Sequence, residues 1–536
     1  MIDLLLYPAT LVSVLVGLVA AVPIAARWLR VAQREHYVPA AVTRMAWLWV
    51  AREPLTAVLL VLALGATFAA VLSGVPPLGP YWALVAIVLL AAVPLGLPVR
   101  GRTARFAITG RVKRLMVCWI ALHVGVLLVF VWLLDFGAAA APAIVLLLSA
   151  PLTDLALAIM APIEKAASQR FVTQAQQRLT QTGARVVAIT GSYGKTSTKN
   201  YVAHLLSAAF TTVASPASFN NRLGLSRAVN DKLVPGTELF VAEMGMAAPG
   251  QIAELCRQFP PSIAAITVVG EGHLQRMRTT DAILREKSSI TDLAPVVVLP
   301  IDDPRLAELA DRCRAAGKTV ITTTCRAETD ADVALVPPSD AATDAEHWSI
   351  RLGTGAEPVP VSIGGVEHAV NVAVAAGIAL AAGVPVAAIA ARLGDLPGSQ
   401  HRAEVQHAPS GALVIDDTYN ANPVGSLRAL EGAASLAAER GGPLVVVTPG
   451  MVELGPVQTE RNRAFGAAIG AANGLLFAVA RTNRAALLAG YASTATSEAP
   501  GAIAVDRREA AVARAVEAAG DRGVILYEND LPDHYP

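Results

Sequence analysis

The chain has 536 residues, 54% hydrophobic and only 16% charged, whereas about 25% of an average soluble domain is charged. Its 43 Lys and Arg against 42 Asp and Glu leave a formal charge of +1, which excludes the broad basic field of a nucleic-acid binder. Four scattered cysteines, Cys118, Cys256, Cys313 and Cys325, exclude a zinc ribbon or a disulfide framework.

The apolar runs are confined to the first third. Leu4–Ala26, Pro54–Leu72, Tyr81–Val99, Leu115–Leu134 and Ala138–Pro162 each approach the ~20 residues that cross about 30 Å of hydrocarbon. The first is too long, and too poor in positive charge before it, for a cleaved signal peptide. Arg27, Arg30, Arg34, Arg44 and Arg52 follow the first span, and Arg100, Arg102, Arg105, Arg111, Lys113 and Arg114 follow the third. The connections Ser73–Pro80 and Asp135–Gly137 carry no Lys or Arg. The positive-inside rule then predicts a multi-pass inner-membrane protein, N-terminus outside, with everything after the fifth span in the cytoplasm. Its first partner is the lipid bilayer. His123 and Asp154 are the intramembrane ionisable groups, read either as pathway residues or as side chains bonded within the bundle. Gln33–Pro39 is polar enough for a site at the membrane face.

From about Lys165 short β-branched runs alternate with helical stretches. Strands are expected at Arg185–Thr190, Thr211–Ser215, Leu239–Glu243, Ala264–Val269, Val296–Pro300 and Thr319–Thr323. A second series is expected at Ala412–Asp417, Leu444–Thr448, Leu475–Val479, Ala502–Val505 and Val524–Tyr527. This alternation predicts parallel sheets covered on both faces, with sites at the carboxyl ends of strands. The expected architecture is a five-helix transmembrane region (1–163), a P-loop ATPase-like central α/β domain (164–397) and a Rossmann-like C-terminal α/β domain (398–536).

Directly after the first strand comes Thr190-Gly-Ser-Tyr-Gly-Lys-Thr-Ser197. A glycine-rich strand-to-helix turn aims backbone N–H groups and a helix N-terminus at phosphate oxygens. Gly191, Ser192, Gly194 and Ser197 form the cradle, Lys195 reaches the β/γ-phosphates, and Thr196 offers a hydroxyl to Mg²⁺. Ile189 stands where the usual pattern has its first glycine.

Further stretches follow in order: Ser218-Phe-Asn-Asn-Arg-Leu-Gly224, Glu243-Met-Gly with Pro249-Gly250, and His273-Leu274 with Lys287 downstream. Asp302-Asp-Pro304, Asp416-Asp-Thr-Tyr-Asn-Ala-Asn-Pro423 and Met451-Val-Glu-Leu-Gly455 complete the set. Over about Val186 to Asp530 the chain resembles the Mur ligases, specifically their MurF-like branch. The resemblance implies ATP-dependent formation of an amide: a carboxylate attacks the γ-phosphate, and an amine displaces phosphate from the acyl phosphate. It implies Lys195, Lys287 and His273 as catalytic residues, with Thr196, Glu243, His273 and Lys287 as magnesium ligands. Lys287 corresponds to a lysine carbamylated by CO₂, which turns an ammonium into an anionic oxygen ligand. Arg402, Asp417 and Asn420 join the ATP site, and Asn220, Asn221, Tyr419 and Asn422 the substrate site. The stretch Tyr419–Pro423 also reads as an N-capping turn before a helix at Val424–Ala438.

Departures from the family pattern concern adenine and the incoming substrate. Pro300 replaces an asparagine, and the usual His-Asn-x-x-Asn helix start is reduced to a displaced Asn371. Pro449-Gly450 replaces Gly-Asp, and Tyr527-Glu-Asn-Asp530 replaces a terminal Lys-Gly-Ser-Arg. In front, a membrane bundle replaces the domain that grips the UDP-muramoyl peptide, so a lipid-linked or peptide-bearing envelope precursor is the expected substrate. The alternatives are a ligase for another envelope or γ-linked peptide amide, and a non-catalytic ATP-binding scaffold.

Overall fold

The computed structural model describes residues 8–73, 78–99, 106–216, 219–337, 348–361, 363, 369–397, 404–418, 421–531 and 533–536. They fall into two compact units.

The first unit takes in the chain up to Ala167 together with Ala480–Arg484 and Asp530–Pro536. Its helices are α1 (Pro8–Arg34), α2 (Ala41–Arg52), α3 (Pro54–Leu72), α4 (Leu78–Ala92), α5 (Gly110–Leu134), α6 (Ala141–Leu147) and α7 (Ser149–Thr182), the last running on past Ala167. Small residues form the seam between α3 and α4, with Ala63, Ala66 and Ala70 buried on one and Ala83 and Ala86 on the other. The outward faces carry Val19, Val61, Phe68 and Trp132, each about two-thirds exposed or more. Large apolar groups outside and small ones inside is the arrangement of helices that pack within lipid.

Fewer than the five expected spans are long and apolar enough among the described residues. Three described helices are long and apolar enough to cross a membrane, within Thr10–Arg34, Pro54–Leu72 and Gly110–Leu134. A fourth exists only if Gly137–Leu147 and Ser149–Thr182, bent by 62° at their junction, count as one. The expected run Tyr81–Val99 fails because Pro94 lacks an N–H and disfavours helix at Val93, so α4 stops after 15 residues, about 22 Å long. Helix α1 instead runs on to Arg34, beyond the expected Ala26.

Several ionisable groups of this unit find partners within it. Asp154 accepts from the backbone N–H groups of Val42 (3.1 Å) and Thr43 (2.8 Å), capping α2. His123 stacks on Trp119 and its Nδ1 lies 2.8 Å from the Trp119 carbonyl. In Gln33–Pro39, Glu35 pairs with Arg44 at 2.5 Å. The final segment is anchored here as well: Asp533 pairs with the fully buried Arg30, and His534 Nε2 meets Glu35 at 3.0 Å. The Trp49 indole donates to the His534 carbonyl at 2.9 Å.

The second unit holds two sheets. The first has nine strands: β1 (Arg185–Thr190), β2 (Thr212–Ala214), β3 (Leu239–Glu243), β4 (Pro261–Ile266), β5 (Val296–Pro300), β6 (Thr319–Thr324), β7 (Val333–Val336), β8 (Trp348–Leu352) and β9 (Val359–Val361). Their spatial order is β2-β3-β1-β4-β5-β6-β7-β8-β9. Pairing is parallel as far as β7 and antiparallel beyond it, so the expected parallel sheet gains an antiparallel edge. Strand β4 runs from Pro261 to Ile266, starting and ending earlier than expected, and Val268 beyond it forms an isolated antiparallel bridge with Tyr193.

The second sheet comprises β10 (Glu404–His407), β11 (Leu413–Asp417), β12 (Leu444–Thr448), β13 (Leu475–Val479), β14 (Ala502–Val505) and β15 (Val524–Glu528). Its order is β10-β11-β15-β12-β13-β14, parallel except for β10. The strands at the heart of both sheets read as largely apolar runs buried almost throughout, as sheets covered on both faces require.

Candidate active site

The site is assembled at the carboxyl ends of β1, β3 and β4. Parallel pairing puts Ile189 opposite Glu243, so the loop after β1 and the carboxylate ending β3 emerge side by side. Helix α8 (Lys195–Leu206) starts directly after Gly194, whose φ of 77° is the left-handed value that only glycine adopts cheaply. A Cβ at Gly194 would also run into the carboxamide of Asn371.

Thr196 Oγ1 donates to Glu243 Oε2 at 2.9 Å, and Asn220 Nδ2 donates to Oε1 at 3.0 Å. Lys199, one helical turn beyond Lys195 and buried, lies 3.5 Å from the same carboxylate. Lys287, on α9 (Thr280–Ser288), reaches in from the far side of the loop and donates to the Gly191 carbonyl at 2.8 Å. Lys195 Nζ donates to that carbonyl at 2.9 Å and to Ser192 at 3.3 Å. Burial, and then the nearby Lys195 ammonium, pushes Lys287 well below the ordinary lysine range.

The loop after β4 is fastened to the glycine-rich turn. Ser192 Oγ donates to the Gly270 carbonyl and accepts from the Gly270 N–H, at 3.1 and 2.9 Å. Thr267 Oγ1 donates to the Tyr193 carbonyl at 2.5 Å, and the Tyr193 ring fills the space above Gly270 and Gly272. His273 follows within this loop, half-buried.

Thus Gly191, Ser192, Gly194, Lys195, Thr196, Ser197, Asn220, Glu243 and Lys287 come together, and His273 lies on the adjoining loop. Asn221 serves locally, its carboxamide oxygen accepting from Gly224 N (3.0 Å) to cap the helix Arg222–Lys232. Asn422 likewise caps Pro423–Arg440 by accepting from Gly425 N at 2.9 Å. Asp417 ends β11, where its carbonyl accepts from Asn529 N at 3.1 Å. Arg402, Tyr419 and Asn420 lie outside the described residues.

Among the described residues no three His, Cys, Asp or Glu side chains converge as a ready cation cage. Magnesium does not require one, since it favours one or two carboxylates completed by water and phosphate oxygens. Thr196, Glu243 and Asn220 fit that description. Lys287 as an ammonium would repel a cation, whereas as a buried neutral amine it is a nucleophile for CO₂.

Neither Lys199 nor Asn371 was among the expected site residues. The i, i+4 spacing of Lys195 and Lys199 was the available signal for the first. For Asn371, displacement from the familiar pattern concealed that helix Ala369–Ala382 brings it onto Gly194.

Residues 189–379 match the Mur ligase middle domain, and residues 401–527 match the Mur ligase glutamate ligase domain. The chain belongs to the Mur ligase family. Among relatives of this Mur ligase, the UDP-N-acetylmuramoyl-tripeptide–D-alanyl-D-alanine ligase of Mycobacterium leprae is 32% identical over 291 residues, 52% of this chain and 54% of that protein. The ligase of the same name from Bacillus subtilis is 31% identical over 299 residues, 55% of this chain and 62% of the relative. The chain therefore spans between half and two-thirds of the length of these relatives. A crystal structure of MurF from Acinetobacter baumannii superposes with a TM-score of 0.56 at 26% identity, covering 67% of this chain and 77% of that one. MurF from Thermotoga maritima in complex with ADP shares the fold, with a TM-score of 0.54 at 23% identity and coverage of 68% and 80%.

Proposed function

We propose that this Mur ligase is a membrane-anchored, ATP-dependent enzyme that joins a carboxylate to an amine in envelope precursor synthesis, through an acyl phosphate. The observation that carries this reading is the convergence of Lys195, Thr196, Glu243 and Lys287 around the Gly191–Thr196 turn. Phosphoryl transfer needs positioning and charge neutralisation more than covalent chemistry, and this set supplies both.

In this reading Lys195 and the backbone of the turn hold the transferring phosphate. Thr196 and Glu243, with Asn220 steadying the carboxylate, hold Mg²⁺, which neutralises charge on the phosphate oxygens when bound. Lys287 as its carbamate and His273 hold a second cation. Asp417, with Arg402, Tyr419 and Asn420, serves nucleotide and substrate from the C-terminal domain.

We further propose that helices α1, α3, α5 and their neighbours cross the inner membrane, with the arginine-rich ends of α1 and α2 at its cytoplasmic face. The apolar outer surface of the bundle supports this reading. A bundle in place of a UDP-gripping domain favours a lipid-linked acyl donor, whose local concentration the anchor raises.

The test is ADP release by the detergent-solubilised full chain, with candidate acyl donors on soluble UDP and on lipid carriers, and with candidate amines. Turnover needing both a carboxylate and an amine is expected, faster on the lipid-linked donor. ATP binding without turnover on any pair would favour the scaffold reading instead.

A further inference from the structure

The His273 loop is gripped by a second loop, Met451–Gly455, which follows β12. Glu453 Oε2 accepts from His273 Nδ1 at 2.9 Å, and Oε1 accepts from the Arg276 guanidinium at 2.8 Å. The Gln275 N–H donates to the Glu453 carbonyl at 3.0 Å. Close by, Arg461 makes a forked contact with Glu271, with distances from 2.6 to 3.1 Å. A Cβ at Gly455 would come within 3.1 Å of Gln275 Cα, so the two loops meet backbone to backbone.

Two features separate His273–Glu453 from an ordinary ion pair. His273 and Glu453 both hold left-handed backbone, with φ of 65° and 64°, a conformation costly for non-glycine residues and maintained only where surroundings enforce it. The second is chemical. An ionised carboxylate only accepts, so Nδ1 carries a proton, and the neutral tautomer compatible with this bond has its lone pair on Nε2. A histidine fixed through one nitrogen by a carboxylate, with the other left as donor, is the usual form of a metal-ligating imidazole.

We propose that Glu453 is a positioning residue for the cation site: it fixes the His273 tautomer and ring from the other α/β domain, so cation affinity depends on the Glu453–His273 bond. The inference rests on His273 being a cation ligand, as in the function proposed above. Arg276 and the Arg461–Glu271 contact hold the two loops together, whereas the Nδ1 bond sets the imidazole.

The experiment is titration with Mn²⁺, read by the electron paramagnetic resonance of the free ion, on the full chain in detergent with ADP. Glu453→Ala is expected to lose about 10- to 100-fold in Mn²⁺ affinity. Glu453→Gln, whose amide oxygen still accepts from Nδ1–H, is expected to keep most of it. Arg276→Ala is expected to bind Mn²⁺ like the wild type. In a His273→Ala background, Glu453→Ala is expected to cost nothing further. The proposal is overturned if Glu453→Ala binds Mn²⁺ normally, or if its loss persists undiminished without His273, or if Arg276→Ala loses as much. Wild-type Mn²⁺ binding that ignores His273→Ala would sink the cation reading itself and the proposal with it. Thermal unfolding of each variant confirms that a folded protein is being titrated.

Discussion

Lys195 and Lys287 donate to one and the same acceptor, the carbonyl of Gly191, at 2.9 and 2.8 Å. Two ammonium groups so placed disfavour one another, and the buried one yields first. Lys287 is therefore the side chain biased toward the neutral amine that uptake of CO₂ requires.

Removing Lys287 should then be worse than losing one hydrogen bond. Lys287→Met is expected to reduce ligase turnover by at least about 10²-fold, the scale on which an electrostatic group of a transferring centre counts. Wild-type turnover in CO₂-depleted buffer should fall and recover with bicarbonate. Because carbamylation releases a proton, more bicarbonate should be needed near pH 6 than near pH 8. Bicarbonate-independent turnover across that range would contradict the assignment.

Glu243 sits among Thr196, Asn220 and Lys199. Glu243→Gln keeps the shape but gives up the charge, so it should raise the Mg²⁺ concentration for half-maximal turnover by about 10-fold or more. Lys199→Met removes a cation beside that carboxylate and should leave a buried charge without its partner. The expected readout is a lower unfolding midpoint together with an altered Mg²⁺ requirement, measured by calorimetry and coupled ADP assay.

Gly191 leaves no room for a side chain: an added methyl would meet the Thr267 hydroxyl and lie 3.1 Å from the Tyr193 carbonyl. Gly191→Ala should cost about 1–3 kcal/mol of stability, as other overpacked sites do. It should also weaken ATP binding by shifting the carbonyl that Lys195 and Lys287 share. Equilibrium dialysis with ATP checks the second effect.

Glu528, wholly buried at the end of β15, has its carboxyl pushed up to about 8, chiefly by burial and further by Asp417, against donation from Ser426 and Thr448. A carboxyl whose folded pKa exceeds its unfolded one holds a proton in the native state that the unfolded chain gives up. Stability should therefore fall as pH rises from about 4.5 to about 8 and level off above that. Glu528→Gln should flatten this slope. The measurement is the unfolding midpoint between pH 5 and 8, where the wild type is expected to lose roughly 5 °C more than the variant.

Much of the α/β region was legible because its strands are fully buried. Arg185–Thr190, Leu239–Glu243, Val296–Pro300 and Leu444–Thr448 are largely apolar, almost wholly buried runs, and each was read to its exact ends. Strands β7 to β10, three to five residues each, were missed because runs so short carry no clear period. The site was legible where one local motif holds it, as in Gly191–Ser197. Glu453 was quoted only as part of a matching stretch, because its partners His273 and Arg276 are brought to it by topology. In the first unit composition identified apolar helices, but the kink after Leu147 and the stop at Ala92 depend on individual residues.

The docking of Asp533 and His534 against Arg30 and Glu35 bears on any attempt to obtain a water-soluble catalytic fragment. Excising the first 167 residues would discard the counter-ions of the segment that leaves β15, and Leu531 and His534 would lose their cover. Such a fragment should aggregate unless that segment is trimmed as well. Stated as an engineering rule, head and tail of this polypeptide must be kept or removed together.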